Sequence, residues 1–429
     1  MKQSSTRRKL LATLGTTSVA ALTGCSGSGT TGNTESSPTE TTTKRSSKNQ
    51  TQTSTKTPQS RDAPYSRGEL VEDFEDFENA RWGTIGGTIS SDGSNPYAGS
   101  QSLRLENKNG DVAGIFKSFP DGLDLTKNDL SIAVKMEKPA RGKFSAEVIA
   151  PARSDMLASN RFLVKELDGW VRIDLGYTGR QGDPILKEVQ ELRLMVLTPE
   201  GEPIKVWIDD LRVIPKPDRG AVMFHFDDNV ASQYDVAFKE LQERKWPGAV
   251  SIIPDTVNSE GRLTTGQMRE MRDAGWDMMS HPHQPKPFPA YSPEKQREEL
   301  KRAKRYLELK GFPDGARHFV APYNRLSTET VEILKEVGYE TGFSFGACPN
   351  NALQPSGMYT ISRVQGTDPR GVRRLLNIAE AFNQLVVVYF HSIGQSDSDT
   401  SMNDFMNILD HVEKKDIDVI TPSQLIDKK

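Results

Sequence analysis

The stretch Ala221-Val222-Met223-Phe224-His225-Phe226-Asp227-Asp228 decides the fold of the second half of this chain. Its first six residues are apolar except for His225, which is typical of a buried strand. Two adjacent carboxylates follow at the carboxyl end of that strand. Because successive strand side chains point to opposite faces, we expect Asp227 and Asp228 to serve different tasks. One carboxylate can then hold a cation while the other takes a proton, which is an arrangement expected of a hydrolase.

Downstream of this strand, short apolar runs alternate with helical patterns about seven times. The further predicted strands are 249–253, 276–280, 317–320, 341–345, 359–364, 385–390 and 417–420, and the predicted helices are 232–245, 264–274, 292–310, 327–337, 370–382 and 402–414. This alternation predicts an α/β fold over residues 219–429, an irregular (β/α)7–8 barrel. In such barrels the chemistry lies at the carboxyl ends of the strands.

Residues 65–215 show a different pattern, with short alternating runs such as 102–106 and 170–175 separated by turn residues. This pattern predicts an all-β sandwich of the jelly-roll type, joined to the barrel by a stiff linker at 215–218. The segments 70–75 and 207–211 resemble the first and last strands of carbohydrate-binding jelly-roll modules. That resemblance implies a structural Ca²⁺ held by Glu72 and Asp210. The alternative is that both are solvated charges on edge strands.

The first 25 residues are typical of an export signal. Ser5-Thr6-Arg7-Arg8-Lys9-Leu10-Leu11 is a twin-arginine start, and the apolar run to Leu22 is too short to span a bilayer. Leu22-Thr23-Gly24-Cys25 resembles a lipobox, which implies cleavage before Cys25 and a lipid anchor on the outer face of the cell membrane. The alternative is a chance arginine pair before an apolar stretch. The Ser/Thr-rich residues 26–64 predict a disordered linker.

Composition excludes some classes of function. The 429 residues carry 55 Lys and Arg against 58 Asp and Glu, a net charge of −3 that argues against a nucleic-acid partner. With only two cysteines, of which Cys25 is assigned to the lipid, no disulfide framework forms. Cys348 is predicted to be a small buried apolar residue. Nothing in the composition fixes the oligomeric state.

Polar side chains follow several of the predicted barrel strands. Asp227 and Asp228 follow the first, His281 and His283 the third, and His391 a late one, while Pro322-Tyr323-Asn324 follows the fourth. Carboxylate and imidazole ligands from different strand ends suit a divalent transition metal. Zn²⁺ is the simplest choice, and Co²⁺, Ni²⁺ and Fe²⁺ use the same ligands.

Over about residues 219–425 these motifs resemble the NodB-like polysaccharide deacetylases, metal-dependent carbohydrate esterases. The resemblance is carried by 226–228, by 275–281, by 318–324 and by 385–391. It implies that Asp227 is the general base and His391 the general acid, and that Asp228 and His281 bind the metal. It also implies that Pro322 and Tyr323 line the substrate groove, with the Tyr323 backbone N–H near the reacting carbonyl.

The chain departs from the family pattern at several positions. Pro285 stands where the second metal histidine is usual, so His283 is the predicted substitute, and a degraded metal site is the alternative. Val320 stands where an arginine usually orients the base. Ile361-Ser362-Arg363-Val364 resembles a later segment that supplies this arginine in one subgroup, so Arg363 is predicted to support Asp227 instead of forming a surface ion pair. The tryptophan expected after the fifth strand is not evident at 343–345.

These motifs together predict metal-dependent removal of N-acetyl groups from a cell-surface or extracellular polysaccharide. Two alternatives remain open: an O-acetyl glycan esterase, and a non-catalytic glycan-binding surface lipoprotein with a degenerate metal site. His225 shares the face of Asp227 along the strand, and it either touches the site or is a hydrogen-bonded core histidine.

Overall fold

The structure, a computed structural model, describes residues 65–198, 201–282, 286–394 and 400–427. The predicted export signal, the Ser/Thr-rich linker, Cys25 and His283 lie outside these residues. Within the described ranges an antiparallel β part is followed by a parallel α/β part, in the order that the sequence pattern predicts.

The antiparallel part contains two six-stranded sheets. Its strands are β1 (Glu69–Glu72), β2 (Gly83–Ile85), β3 (Thr88–Asp92), β4 (Ser102–Asn107), β5 (Val112–Leu123), β6 (Asn128–Lys138), β7 (Arg141–Ile149), β8 (Met156–Val164), β9 (Val171–Asp174), β10 (Tyr177–Gln181), β11 (Val189–Leu197) and β12 (Ile204–Pro215). One sheet has the order β3-β4-β12-β6-β9 with β1 also paired to β12, and the other has the order β10-β8-β7-β11-β5-β2.

Alternation along these strands builds the core between the two sheets. In β4, for example, Leu103 and Leu105 are fully buried while Arg104 between them is partly exposed. Leu103 and Leu105 belong to one apolar cluster with Leu192 and Leu194 of β11, on the opposite sheet. The two-layer sandwich thus follows from the two-residue period, and the jelly-roll connectivity stays a prediction.

The parallel part is a closed barrel of seven strands. The barrel strands are β13 (Gly220–Phe226), β14 (Ala249–Ile252), β15 (Asp277–Ser280), β16 (His318–Val320), β17 (Thr341–Phe345), β19 (Ile361–Gln365) and β20 (Gln384–Phe390), with β18 (Asn350–Asn351) and β21 (Ile417–Val419) paired outside the ring. Closure is made by β20 against β13, in a register that runs from Ala221 opposite Leu385 to Phe226 opposite Phe390.

Every residue of β13 is buried, because the strand is covered on both faces. Ala221 and Met223 belong to the cluster that also contains Phe343 and Val387, which fills the inside of the barrel. Val222, Phe224 and Phe226 pack outward against helical side chains. Met223, His225 and Asp227 therefore follow one another along the inner face, toward the mouth.

Helices surround the barrel. A π-helical segment (Gln233–Phe238) leads into α1 (Lys239–Glu243), and α2 (Thr265–Asp273), α3 (Pro293–Lys310), α4 (Thr328–Val337), α5 (Pro369–Phe382), α6 (Met402–Val412) and α7 (Pro422–Asp427) follow. Short 3₁₀ turns lie at Pro254–Thr256, Phe288–Ala290, Gly315–Arg317 and Pro322–Asn324. Thr264 and Ser327 begin α2 and α4 with capping boxes. No helix within the described ranges is long and apolar enough to cross a membrane.

The sandwich and the barrel pack into one compact unit. The segment between β17 and β19 docks on the sandwich, since the Asn351 side chain donates to Asp129 at 2.8 Å and its backbone N–H donates to Asp174 at 3.0 Å. Gln384 of β20 also donates to Asp129, at 3.0 Å. The predicted stiff linker at 215–218 takes part in this contact, because the Pro215 carbonyl accepts from Asn351 and the buried Lys216 donates to the Leu125 carbonyl.

Candidate active site

A buried ion pair lies at the mouth of the barrel. The guanidinium of Arg363, on β19, donates from Nη1 to Oδ1 of Asp227 at 2.9 Å and from Nη2 to Oδ2 at 3.1 Å. Arg363 is fully buried and Asp227 is 3% exposed. Such a bidentate contact fixes both the position and the rotation of the carboxylate. The structure thus brings together the two residues that the resemblance connects, and the surface ion pair offered as the alternative for Arg363 is wrong.

The charge state of Asp227 follows from its neighbours. Burial, the largest single effect, would raise its pKa, but it is outweighed by the combined effect of the Arg363 charge and hydrogen bonds and the charges of His281 and His391. The pKa of Asp227 is therefore held well below its usual range, and the carboxylate is ionised at neutral pH. Ser251 of β14 donates a further hydrogen bond to Oδ1, at 2.7 Å.

Asp228 and His281 form the second pair of the site. Oδ1 of Asp228 lies 3.4 Å from Nε2 of His281. The other ring nitrogen, Nδ1, bonds the Val320 carbonyl at 2.9 Å. Because a carbonyl oxygen only accepts, Nδ1 carries a proton, and Nε2 is the nitrogen that faces Asp228. Nε2 donates to Asp228 when the ring is protonated, and it is the nitrogen available to a metal ion when the ring is neutral.

This pair fits a divalent metal. Two ligands bound to one tetrahedral ion at about 2.0–2.2 Å lie roughly 3.3–3.6 Å apart, and the oxygen and nitrogen here are 3.4 Å apart. The bond from Nδ1 of His281 to a backbone carbonyl is the orienting contact that metal-bound histidines commonly make. Asp228 and His281 are therefore suited to hold two corners of a Zn²⁺-type site.

The remaining predicted ligand is His283, which lies outside the described residues, as does Pro285. Among the residues that the structure does describe, no group of three or more His, Cys, Asp or Glu side chains is placed to hold a metal ion. The role of His283 as third ligand stays a prediction.

The expectation that Asp227 and Asp228 point to opposite faces of an extended strand is wrong. The strand ends at Phe226, and Asp228 takes a left-handed backbone conformation with φ of 73°. This turn breaks the alternation. As a result both carboxylates lie close enough to His281 to influence its charge: burial would lower the pKa of His281, but the hydrogen bond to Asp228 and the charges of both aspartates raise it.

The other predicted site residues also lie at strand ends. His391 directly follows β20, with its side chain exposed, and its positive charge would help to keep both Asp227 and Asp228 ionised. Pro322 is buried in the short turn after β16, while Tyr323 is 50% exposed in a left-handed conformation with φ of 58°. An exposed tyrosine on a strained backbone at the mouth is consistent with the predicted contact to substrate.

Glu72 and Asp210, the predicted calcium ligands, form hydrogen bonds and ion pairs with neighbouring side chains. Glu72 accepts from Lys117 and from the Trp82 ring N–H, both at 2.8 Å. Asp210 accepts from Arg172 at 2.5 Å and from Arg212 at 2.8 Å. Both carboxylates are buried, so they are not solvated charges on edge strands, and their cationic partners leave the calcium prediction without support.

His225 is buried on the inner face below Asp227, with its ring 4.6 Å from that of Phe343. Neither ring nitrogen has a hydrogen-bond partner among the described residues. The expectation of a hydrogen-bonded core histidine is therefore wrong in that respect. Burial, followed by the charge of Arg363, lowers the pKa of His225 to about 3, so the ring is neutral.

Sequence reasoning assigned no role to three residues that hold the ion pair. Ser251 bonds Asp227, Asn324 accepts from Arg363, and the Tyr389 ring lies 4.4 Å from the guanidinium carbon. Ser251 and Tyr389 lie on β14 and β20, and Asn324 lies in the turn after β16. The alternation of β14 and β20 was the signal that could have identified Ser251 and Tyr389.

Residues 215–342 match a family model described as polysaccharide deacetylase. This segment contains the strand of Asp227 and Asp228 and the strand of His281. The matched segment, less than a third of the chain, is thus similar to polysaccharide deacetylases.

Individual relatives share parts of the chain. The Bacillus subtilis protein named "Putative polysaccharide deacetylase YxkH" is 25% identical over 150 residues, which are 35% of this chain and 53% of the relative. The chain thus spans about half the length of the curated relative that it matches.

Two solved structures are also similar. The Streptococcus pyogenes deacetylase PplD in complex with acetate is 22% identical, covering 33% of this chain and 63% of that one with a TM-score of 0.30. The Xyl-CE4 domain of a xylanase from the hindgut metagenome of Trinervitermes trinervoides is 16% identical, covering 49% and 91% with a TM-score of 0.36.

Proposed function

We propose that this protein is a metal-dependent deacetylase that removes acetyl groups from the amino sugars of a polysaccharide. The observation that carries the proposal is the ionised, immobilised Asp227 next to the Asp228–His281 pair, within the segment that is similar to polysaccharide deacetylases. A base that cannot rotate, beside two ligands spaced for one cation, is suited to activating water against an acyl carbon.

The reaction needs a proton acceptor and a proton donor on the two sides of the acetamide. Asp227 takes a proton from the attacking water, whose oxygen bonds to the acetyl carbon. The backbone N–H of Tyr323 donates to the developing oxyanion. His391, when protonated, gives its proton to the nitrogen as the C–N bond breaks, so that acetate and a free amine leave.

A divalent ion held by Asp228, His281 and His283 would supply a Lewis acid that lowers the pKa of water and polarises the acetyl carbonyl. Arg363 acts on this chemistry through Asp227, because it keeps that carboxylate ionised and correctly turned. Ser251 assists from the other side of Oδ1.

We also propose that the protein acts at the cell surface. The twin-arginine start and the lipobox-like segment ending at Cys25 support export and a lipid anchor. The sandwich is proposed to contact the same polysaccharide. Zn²⁺ is the proposed metal on the basis of the mixed carboxylate and imidazole ligands.

The test is acetate release by the purified chain from an N-acetylglucosamine oligomer and, in parallel, from an O-acetylated xylan oligomer. The proposal predicts turnover of the first substrate, loss of turnover in Asp227→Asn, and retained metal in that variant. Turnover of the O-acetylated substrate alone would instead make the protein an esterase. Sugar binding without any acetate release would make it a glycan-binding protein.

A further inference from the structure

Two half-exposed phenyl rings from the two parts of the chain meet at the rim of the barrel mouth. Phe345 ends β17 and is 43% exposed, while Phe162, on β8 of the sandwich, is 39% exposed. Their ring centroids are 5.8 Å apart and their planes are inclined by 32°. Large apolar side chains left in water at the edge of a cleft are typical of a ligand-binding surface.

The position of Phe345 connects this ring pair to the candidate active site. Phe343 and Phe345 lie two residues apart on one strand and therefore share a face, and the Phe343 ring contacts His225 inside the barrel. Phe345 is thus the next inward position toward the mouth. In the register between β17 and β19 it lies opposite Arg363, the partner of Asp227. Phe345 accordingly lies at the same end of the barrel as Asp227, on the strand next to that of Arg363.

Phe162 is held firmly against the barrel. Its backbone N–H donates to the Gly346 carbonyl at 3.1 Å, and the neighbouring Arg161, which is 4% exposed, donates to the Thr360 carbonyl. Gly346 in turn allows no side chain, because a Cβ there would lie 2.4 Å from the Ser362 hydroxyl. The backbone of Phe162 is therefore anchored to the barrel beside the end of β17, where Phe345 lies.

We propose that Phe162 and Phe345 form a sugar-stacking subsite that extends the substrate cleft from the barrel onto the sandwich. The inference rests on the proposed function, because the occupant is another sugar unit of the polysaccharide being deacetylated. The C–H bonds on one face of a pyranose ring are weakly positive, and the face of a phenyl ring is weakly negative. A sugar ring thereby covers the two phenyl groups without needing a charged partner.

Neighbouring groups supply the polar contacts that a sugar needs. Lys143 of β7 lies directly opposite Phe162 in the β7–β8 register, and Asn160 lies two residues from Phe162 on the same face of the sheet. Both side chains are only partly buried, and the Asn160 amide already donates to Thr178 at 2.9 Å and accepts from Ser145 at 3.1 Å. The ammonium group of Lys143 beside an apolar ring is suited to the hydroxyls and acetamides at the edge of a pyranose.

The experiment compares substrates of two lengths with the full chain. Acetate release is measured on the dimer and on the β-1,4- and β-1,6-linked hexamers of N-acetylglucosamine, for the wild type and for Phe162→Ala, Phe162→Trp and Ile185→Ala. Ile185 is a matched control, since it is another exposed apolar residue of the sandwich, at 49% exposure. Thermal unfolding of each variant verifies that replacing a half-exposed side chain leaves the fold intact.

Loss of one stacking ring is expected to raise KM for a hexamer about 3- to 10-fold with little change in kcat, and to have a smaller effect on the dimer. Phe162→Trp is expected to restore the KM, and Ile185→Ala to match the wild type. Equal effects of Phe162→Ala on dimer and hexamer, or none on either, would overturn the subsite while leaving the deacetylase proposal intact.

A binding measurement separates failure of the subsite from failure of the proposed function. If the wild type releases no acetate, calorimetric titration with the hexamers still decides the inference. A Kd about 3- to 10-fold weaker in Phe162→Ala supports the subsite. Identical affinities, or no binding by the wild type, overturn it.

Discussion

Replacing Arg363 with methionine tests the buried ion pair that organises the site. The substitution keeps much of the side-chain volume but removes both hydrogen bonds to Asp227, at 2.9 and 3.1 Å. Asp227 is then a carboxylate of 3% exposure without its cation. Removing one partner of such a buried pair costs about 3–5 kcal/mol, because the remaining charge is desolvated without compensation.

That loss corresponds to a measurable change in melting temperature. With an unfolding entropy of about 2.1 cal/mol/K per residue over roughly 350 folded residues, 3–5 kcal/mol lowers Tm by about 4–7 °C. The effect also depends on pH. In the wild type the pKa of Asp227 is lowered on folding, so its stabilising contribution is present above the unfolded pKa and lost as the pH falls. In Arg363→Met, burial raises the pKa of Asp227, so acidification protonates its carboxyl group. The loss of stability relative to the wild type therefore becomes smaller at low pH.

The assay is urea unfolding at pH 8 and pH 5 of the wild type, Arg363→Met, Asp227→Asn and the double variant. Since the double variant removes both charges, it is expected to recover about 2 kcal/mol or more relative to Arg363→Met at pH 8. The reasoning is refuted if Arg363→Met unfolds like the wild type at pH 8, or if the double variant is no more stable than Arg363→Met.

Four further predictions concern the rest of the molecule. Burial raises the pKa of Asp129 to about 6, so its contribution to stability is present below pH 4 and is lost as the pH rises through 6. Between pH 4 and pH 7.5, unfolding experiments should therefore show the stability of Asp129→Asn increasing relative to the wild type by up to about 3 kcal/mol. A stability difference that does not depend on pH would contradict this. His391→Asn should lower kcat by about 10²–10⁴-fold with unchanged metal content, and an active variant would remove His391 as the acid. Ser251→Ala should lower the unfolding free energy by about 1–3 kcal/mol, since it loses a 2.7 Å bond to a carboxylate, whereas no loss would show that this bond is unimportant. Removal of metal with dipicolinate should abolish acetate release and added Zn²⁺ should restore it; activity that survives chelation argues against metal dependence.

Local periodicity was sufficient to predict the barrel. The apolar run before Asp227 and the capped helices that begin after Thr264 and Ser327 are local signals, and the structure has β13, α2 and α4 within one residue of the predicted bounds. Because the carboxyl ends of parallel strands meet at one end of a barrel, side chains far apart in the sequence were expected to lie together there. The contact of Asp227 with Arg363 is one such pair.

Other features depend on local backbone turns and long-range contacts, which leave no periodic pattern in the sequence. The left-handed turn at Asp228 arises where the strand ends, and this changes which way its carboxylate points. The order of strands in the sandwich and the docking of Asn351 on Asp129 are set by long-range packing. For the same reason Phe162, remote from every motif, could not be placed beside Phe345 before the structure was known.

The most direct test of the account is the zinc content of the purified full chain, measured for the wild type, Asp227→Asn and His281→Ala. We expect about one ion per chain in the wild type and in Asp227→Asn, and little in His281→Ala, because the imidazole 3.4 Å from Asp228 is a proposed ligand whereas Asp227 is the proposed base. A wild type with no affinity for divalent ions, or a His281→Ala chain that binds zinc as well as the wild type, would contradict it.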